Sequence, residues 1–357
     1  MNAIYYMSTQ KQLLGQYYTT NYAYILQNMT IPSDITHIIE PFAGNGDLLQ
    51  FMDSSKYTIT CYDNDPKLDS IIKQDTLKDP PNYENSFIIT NPPYLAKNKS
   101  SDKTIYIKYR NVDDLYKCFI KNLITNKCQG GIIIVPLNFW SSIRNADIQL
   151  REDFLKIYEV LNVNIFEEQV FDDTTTTVCS FKFVLKSTDT ESVINITLYP
   201  SGKVMREILN HTNNFMIGGR IYKLPRHGTY KITRLTSKNQ ELCNTNILVK
   251  CIDDNEDSKI GLSIVDDKDI FIDQTPNLSS RTYASLVIEP AINMDRQKKL
   301  VIKFNTFLKN YRNKYNSLFL TNYRESKTNL ARKRISFDLV YLIVEHLLEQ
   351  DTKYRIV

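Results

Sequence analysis

Through the first half of the chain, short apolar runs alternate with stretches of helical spacing. Residues 36–40 (THIIE) predict a strand ending at a glycine-containing turn, and residues 47–52 the start of a helix. Residues 57–62 alternate like a second strand, and 86–90 (SFIIT) form a third. Residues 115–126 have helical spacing, with Leu115, Phe119 and Leu123 on one face. Gly130-Gly131 launches a buried strand at 132–135, and a helix is predicted over 147–160. Two further strands follow at 161–166 and 178–185, where Phe181 and Phe183 alternate as core residues. This alternation predicts an α/β fold with a doubly wound sheet.

After Lys186 the pattern loosens. STDTES (187–192) predicts a turn or linker. Strand-like pieces follow at 194–199, 230–234 and 247–251, then an acidic loop at 253–257 and helices over 295–315 and 337–350. The expected organisation is a domain of residues 1–190 followed by a smaller mixed α+β domain of residues 191–357. A chain of 357 residues accommodates two.

Charge separates the same two parts. Residues 1–190 carry 18 Lys and Arg against 22 Asp and Glu, whereas residues 191–357 carry 26 against 18. Within 296–334 there are 12 basic residues and one acidic, Glu325. That asymmetry suits a catalytic part joined to a polyanion-binding part, although a basic run is more often a solvated face. The six cysteines form no CxxC pair and there are four His, which argues against a zinc site and a disulfide framework. No metal is expected. The start lacks an apolar leader and no run reaches the length of a membrane span, so a cytoplasmic protein is expected.

The strongest chemical signal is Thr90-Asn91-Pro92-Pro93-Tyr94, directly after a predicted strand. An exocyclic amino nitrogen conjugated to a ring is a poor nucleophile. It needs acceptors that hold its hydrogens and favour a tetrahedral nitrogen. The Asn91 side-chain oxygen offers one and the Pro92 carbonyl another, held by the fixed φ of the two prolines. Tyr94 supplies an aromatic face for a planar group. Glu40-Pro41-Phe42-Ala43-Gly44-Asn45-Gly46 lies at another strand end, where glycines allow close approach to a ligand, yet it is neither GxGxxG nor a P-loop. Asp63, after the second strand, stands where a carboxylate clamps ribose hydroxyls. Asp65 before Pro66 reads as a helix cap, and Asp75-Thr76 could reach a cofactor's adenine.

Together, Gln16-Tyr17-Tyr18-Thr19, EPFAGNG, CYDNDP, QDT and TNPPY resemble, in order and spacing, the gamma class of N6-adenine DNA methyltransferases. The resemblance covers residues 13–186 and departs where Thr20 follows Thr19, a position the family often gives to proline. It implies a methyltransferase-type Rossmann-like sheet, S-adenosyl-L-methionine as cofactor with S-adenosylhomocysteine as product, and N6 of a flipped-out adenine in double-stranded DNA as target. Thr19 would lie near the methionine moiety, and Glu40, Phe42, Ala43 and Gly44 would line the cofactor loop. Asp63 would hold the ribose, Asn64 would flank the adenine, and Asp75 with Thr76 would meet its amino group. Phe119 would wall the pocket. Asn91, Pro92 and Tyr94 would hold the target amine, and Phe171 would stack on the other face of the base from Tyr94. The later part would recognise DNA, with Arg296, Lys299, Arg312, Arg324, Lys327, Arg332, Lys333 and Arg334 as candidate contacts, most of them to phosphates. Such an enzyme acts in restriction-modification or marking of self DNA, as a monomer or weak dimer, either beside a restriction endonuclease carried on a separate chain or on its own. A glutamine methyltransferase, an RNA adenine methyltransferase and a non-catalytic DNA-binding subunit are the other readings.

Overall fold

The computed structural model describes residues 15–171, 176–188, 191–253, 259–274, 282–325 and 331–353, with the backbone alone for 322–325, 331, 352 and 353. The chain forms two compact units, residues 1–216 and 217–357.

The first unit contains α1 (Tyr22–Ile25), β1 (His37–Glu40), β2 (Thr58–Asp63), β3 (Ile72–Lys73), β4 (Phe87–Thr90), α2 (Thr104–Lys108) and α3 (Leu115–Thr125). There follow β5 (Gly130–Pro136), α4 (Asn138–Ser141), α5 (Asn145–Ile157), β6 (Tyr158–Phe166), β7 (Val178–Leu185), β8 (Ser192–Tyr199) and β9 (Lys203–Leu209). The strands make one sheet in the order β3-β2-β1-β4-β5-β7-β6-β8-β9. From β3 to β5 every pairing is parallel. β7 runs antiparallel between β5 and β6, and β8 pairs parallel with β6. This is the α/β doubly wound class that the alternation predicts.

β4 and β5 are buried at every position, so they read as continuous apolar runs and not as alternation. Gly130 and Gly131 start β5 because a Cβ there would lie 2.5 Å from the Phe183 carbonyl oxygen and 2.6 Å from that of Ile88. Helix α3 buries Tyr116, Phe119, Ile120 and Leu123, the 3.6-residue spacing that identified it.

Four sequence expectations change. No helix follows Asp65, where residues 66–71 form bends and a turn before β3. Residues 47–51 form a single 3₁₀ turn, entered from Gly46 at φ 79°. The helix expected over 147–160 stops at Ile157. Tyr158 there pairs with Leu185 in the sheet, and its buried hydroxyl donates to the Leu123 carbonyl at 2.8 Å. A full-length partner strand outweighs the local helical spacing. Finally, the unit does not end at 190. β8 and β9 follow the 187–192 segment and continue the same sheet, so the division falls at 216/217.

The second unit is mixed α+β. Its four-stranded sheet runs β10 (Lys231–Arg234), β13 (Tyr283–Glu289), β11 (Ile247–Lys250), β12 (Gly261–Ile264), all antiparallel. α6 (Met294–Tyr315) follows, then the pair β14 (Thr321–Glu325) and β15 (Ala331–Arg334), then α7 (Phe337–Lys353). Asn293 caps α6 by accepting from the Arg296 amide at 3.0 Å. Asn305 on α6 pairs with both the amide and the carbonyl of Leu262, at 2.9 and 2.8 Å, and so satisfies the free edge of β12. No helix among the described residues is long and apolar enough to cross a membrane.

Candidate active site

The strand order reverses between β1 and β4, which are adjacent and parallel. Chains leaving a doubly wound sheet at such a point depart to opposite sides and leave a crevice beyond the carboxyl ends. Glu40 ends β1 and Thr90 ends β4, so the two motifs meet at that crevice although they lie far apart in sequence. A cavity of about 290 Å³ opens there. Its lining includes Phe42, Gly44, Asp63, Asn64, Asp75, Thr76 and Asn91.

One half of the cavity is built around Asp63. Its Oδ2 accepts from the Gly44 amide and its Oδ1 from the Asp65 amide, both at 2.8 Å. One buried carboxylate thus joins the loops after β1 and β2 and keeps further lone pairs for another donor. Gly44 has φ 52°, and a Cβ there would come within 3.2 Å of the Tyr18 ring, so a side chain is excluded both by conformation and by space. Asp75 accepts from the Leu77 and Lys78 amides, each at 3.2 Å, and fixes the turn on that side. The Thr76 hydroxyl donates to the Pro41 carbonyl at 2.9 Å.

Other expected cofactor residues stand behind this wall. Phe119 is fully buried and meets Phe42 edge-on at 5.0 Å. Ala43 packs with Cys61 and Ile71. Glu40 is 1% exposed, and its Oε2 has no hydrogen-bond partner. Burial, with Asp47 and Asp63 adding to it, holds the Glu40 carboxyl well above the usual carboxylate range. Thr19 is buried and accepts from Asn91.

The other half is built around Asn91. Its Nδ2 donates to the Tyr17 carbonyl at 2.8 Å and to the Thr19 hydroxyl at 3.1 Å. Both amide hydrogens are therefore engaged, which fixes the position of Oδ1. The Tyr94 amide donates to the Gly15 carbonyl at 2.9 Å, so the 15–19 and 91–94 segments are laced together. Tyr94 is only 8% exposed. Its hydroxyl is placed to donate either to Asn91 Oδ1 or to the Ile134 carbonyl, the latter at 2.9 Å. Burial pushes its pKa well above that of a free tyrosine.

Tyr94 and Phe171, expected on opposite faces of a base, are both buried. Tyr17 neighbours both, 5.5 Å from the Tyr94 ring at 31° and 6.4 Å from the Phe171 ring at 38°. Asp114, which precedes α3, has a carboxyl oxygen enclosed without a partner, and burial raises its pKa to about 7. The sequence reading missed Tyr17 in this place. It also missed Ser100, Ser101, Asp102 and Ile105, which line the cavity from the segment after the 91–94 motif. Asp102 accepts from the Thr104 amide and hydroxyl at 2.8 and 2.7 Å, a capping pattern that Asp-Lys-Thr before an apolar residue announces.

The candidate basic contacts all belong to the second unit and differ in setting. Lys299 is exposed on α6. Arg296 donates to the Tyr230 hydroxyl at 2.8 Å and lies over its ring. Arg312 forms a two-pronged ion pair with Asp253 at 3.2 and 2.6 Å. Lys333 is buried and Arg332 and Arg334 are half-buried. The side chain of Arg324 and all of Lys327 lie outside the described residues. No group of three or more His, Cys, Asp or Glu among the described residues could hold a metal ion.

No protein-family model and no curated protein matches the chain. Solved structures do. The type I restriction-modification methyltransferase subunit from Streptococcus thermophilus is 15% identical over 52% of this chain and 48% of its own, with a TM-score of 0.39. The type IIG restriction endonuclease BpuSI is 15% identical over 64% of this chain and 36% of its own, with a TM-score of 0.38. DrdV, solved with DNA, is 13% identical over 68% and 35%, with a TM-score of 0.43. The chain spans about half the length of the type I subunits it matches. Likeness this low carries nothing about activity, which rests on the residues of the cleft.

Proposed function

We propose that the chain is a methyltransferase that transfers the methyl group of S-adenosyl-L-methionine to N6 of a flipped-out adenine in double-stranded DNA, in restriction-modification or in marking self DNA. The observation that carries this reading is Asn91. A side-chain amide that spends both its hydrogens on the protein presents an oxygen of fixed position, which is what an amino group needs from an acceptor.

The cleft suits the cofactor. Asp63 has acceptor capacity for ribose hydroxyls, Asn64 and Asp75 stand where an adenine would lie, and Gly44 leaves room for close approach. Glu40, with its unpartnered buried oxygen, suits a ligand that carries positive charge or hydrogen-bond donors. S-adenosylmethionine would supply a methyl group made electrophilic by the sulfonium. The protein's own task is positioning. Asn91 Oδ1 and the Pro92 carbonyl accept the two amino hydrogens, so the nitrogen lone pair turns away from the ring and toward the methyl carbon. For Oδ1 to be free, the Tyr94 hydroxyl turns to the Ile134 carbonyl, which already lies within reach.

A paired adenine hides N6 in the stack, so the base must leave the duplex. That costs a few kcal/mol, and stacking at about 1–3 kcal/mol per base offsets it. Tyr94 and Phe171 are the aromatic residues proposed for that role. The second unit, with the basic excess of the later chain, is proposed to recognise the DNA, and a separate chain to carry the endonuclease.

The test is to supply labelled S-adenosylmethionine with duplex DNA, RNA and protein in turn. Label in duplex DNA is expected. Label confined to RNA, or to a glutamine of a protein, would replace this reading with one of its alternatives.

A further inference from the structure

We propose that the Tyr17 ring is a placeholder for the target base: it packs against both Tyr94 and Phe171, the residues proposed to flank that base, and swings out when adenine arrives. This rests on the proposed function and assigns Tyr17 a role in the same site.

The geometry begins with Tyr94. Its ring has two described aromatic neighbours on this side of the sheet. Tyr116 meets it edge-on, at 88° and 6.1 Å. Tyr17 lies at 31° and 5.5 Å. At so small an angle, 5.5 Å is too close for two rings lying side by side in one plane, so Tyr17 overlies a face of Tyr94 in an offset stack. The same ring is tilted by 38° against Phe171 at 6.4 Å. Tyr17 is thus the shared neighbour of both residues that would flank a base, and a purine stacked on that face of Tyr94 would collide with it.

The surrounding contacts determine what can move. The Tyr17 backbone is fastened, because its carbonyl accepts from Asn91 and the nearby Gly15 carbonyl accepts from the Tyr94 amide. Tyr94 and Phe171 are 8% and 4% exposed, locked in the interior. Tyr17 alone of the three is half-buried, at the wall of the cavity. Rotation of the side chain about its own bonds leaves these backbone hydrogen bonds in place. The rings of Tyr94 and Phe171 would remain as apolar surface for a planar group. A base that stacks well displaces the phenol, and smaller or non-planar groups do not.

The experiment uses the full chain with S-adenosylhomocysteine and a duplex carrying 2-aminopurine at the adenine that the wild-type protein methylates, located by sequencing. Flipping raises 2-aminopurine fluorescence. Tyr17→Ala removes the competitor, so the fluorescence is expected to rise at least about twofold above wild type. Tyr17→Phe should match wild type, and Phe171→Ala should fall below it. A circular-dichroism spectrum and a Tm matching wild type certify that each variant is folded. A Tyr17→Ala signal that is unchanged, or that falls with Phe171→Ala, overturns the placeholder and makes Tyr17 inert or a lasting stacking partner. If the wild-type protein methylates no DNA, the proposed function itself falls and the placeholder with it.

Discussion

The two halves of the cleft are built in opposite ways. On the Asp63 side, backbone amides and carboxylates converge on open space. The Gly44 and Asp65 amides are held by Asp63, and Phe42 packs edge-on against Phe119. On the Asn91 side, the polar acceptor is equally fixed, yet the aromatic residues beside it, Tyr94 and Phe171, are covered by the protein's own Tyr17. The difference teaches that a cofactor and a target base pose different problems. On the proposed reading the cofactor binds without any prior rearrangement of DNA, so its half gains from being preformed. A base comes only after a costly extrusion, and an open apolar slot would stand wetted in the meantime.

The largest expected effect separates the halves most sharply. Asn91→Ala should cut methyl transfer by about 10²–10³-fold, the usual loss when one preorganised partner of the reacting group is removed. Its affinity for S-adenosylmethionine by calorimetry should stay within a few-fold. A parallel loss of cofactor binding would break the comparison. Next, Phe171→Ala should lower kcat/KM for DNA by roughly 5–150-fold, the equivalent of about 1–3 kcal/mol of stacking on one base. Cofactor binding should again be untouched.

Asp63→Ala should do the reverse. It leaves the Gly44 and Asp65 amides without their acceptor, at a cost of about 1–3 kcal/mol. Cofactor affinity should fall about tenfold and Tm should drop, while the surviving enzyme keeps its preference for DNA. A smaller effect concerns Asp114. Its pKa, raised to about 7 by burial, means that the folded chain keeps a proton which the unfolded chain has lost between about pH 4 and pH 7. Stability therefore falls as pH rises through that window. Asp114→Asn removes the charge, so its Tm relative to wild type should be higher at pH 8 than at pH 5. The smallest effect lies in the second unit, where Lys299→Ala should reduce the salt slope of DNA binding by about one, without altering sequence preference.

What the sequence made legible follows from range. The residues 40–46, 63, 75 and 91–94 sit at strand ends, and a strand followed by a short rigid turn is a local pattern. Their convergence needs only the switch point of a doubly wound sheet. Asn91 could be read for the same reason. Tyr17 could not, because its contact with both Tyr94 and Phe171 joins three segments distant in sequence, and nothing in Gln-Tyr-Tyr-Thr says which way a ring will turn. The boundary near 190 misled because composition changes there while strand pairing does not: β8 still finds β6. The basic residues show the weakness of counting charge. Arg312 is tied to Asp253 and Lys333 is buried, facts of packing that a run of Lys and Arg conceals.

The central claim is that Asn91 holds an adenine amino group for methylation. Duplex DNA treated with wild-type protein and S-adenosylmethionine, digested to nucleosides and weighed by mass spectrometry, tests it most directly. The account predicts N6-methyladenosine deoxynucleoside from the wild type and a near absence of it from Asn91→Ala that still binds cofactor. Methylation on another base, or N6-methylation that survives Asn91→Ala undiminished, would contradict it.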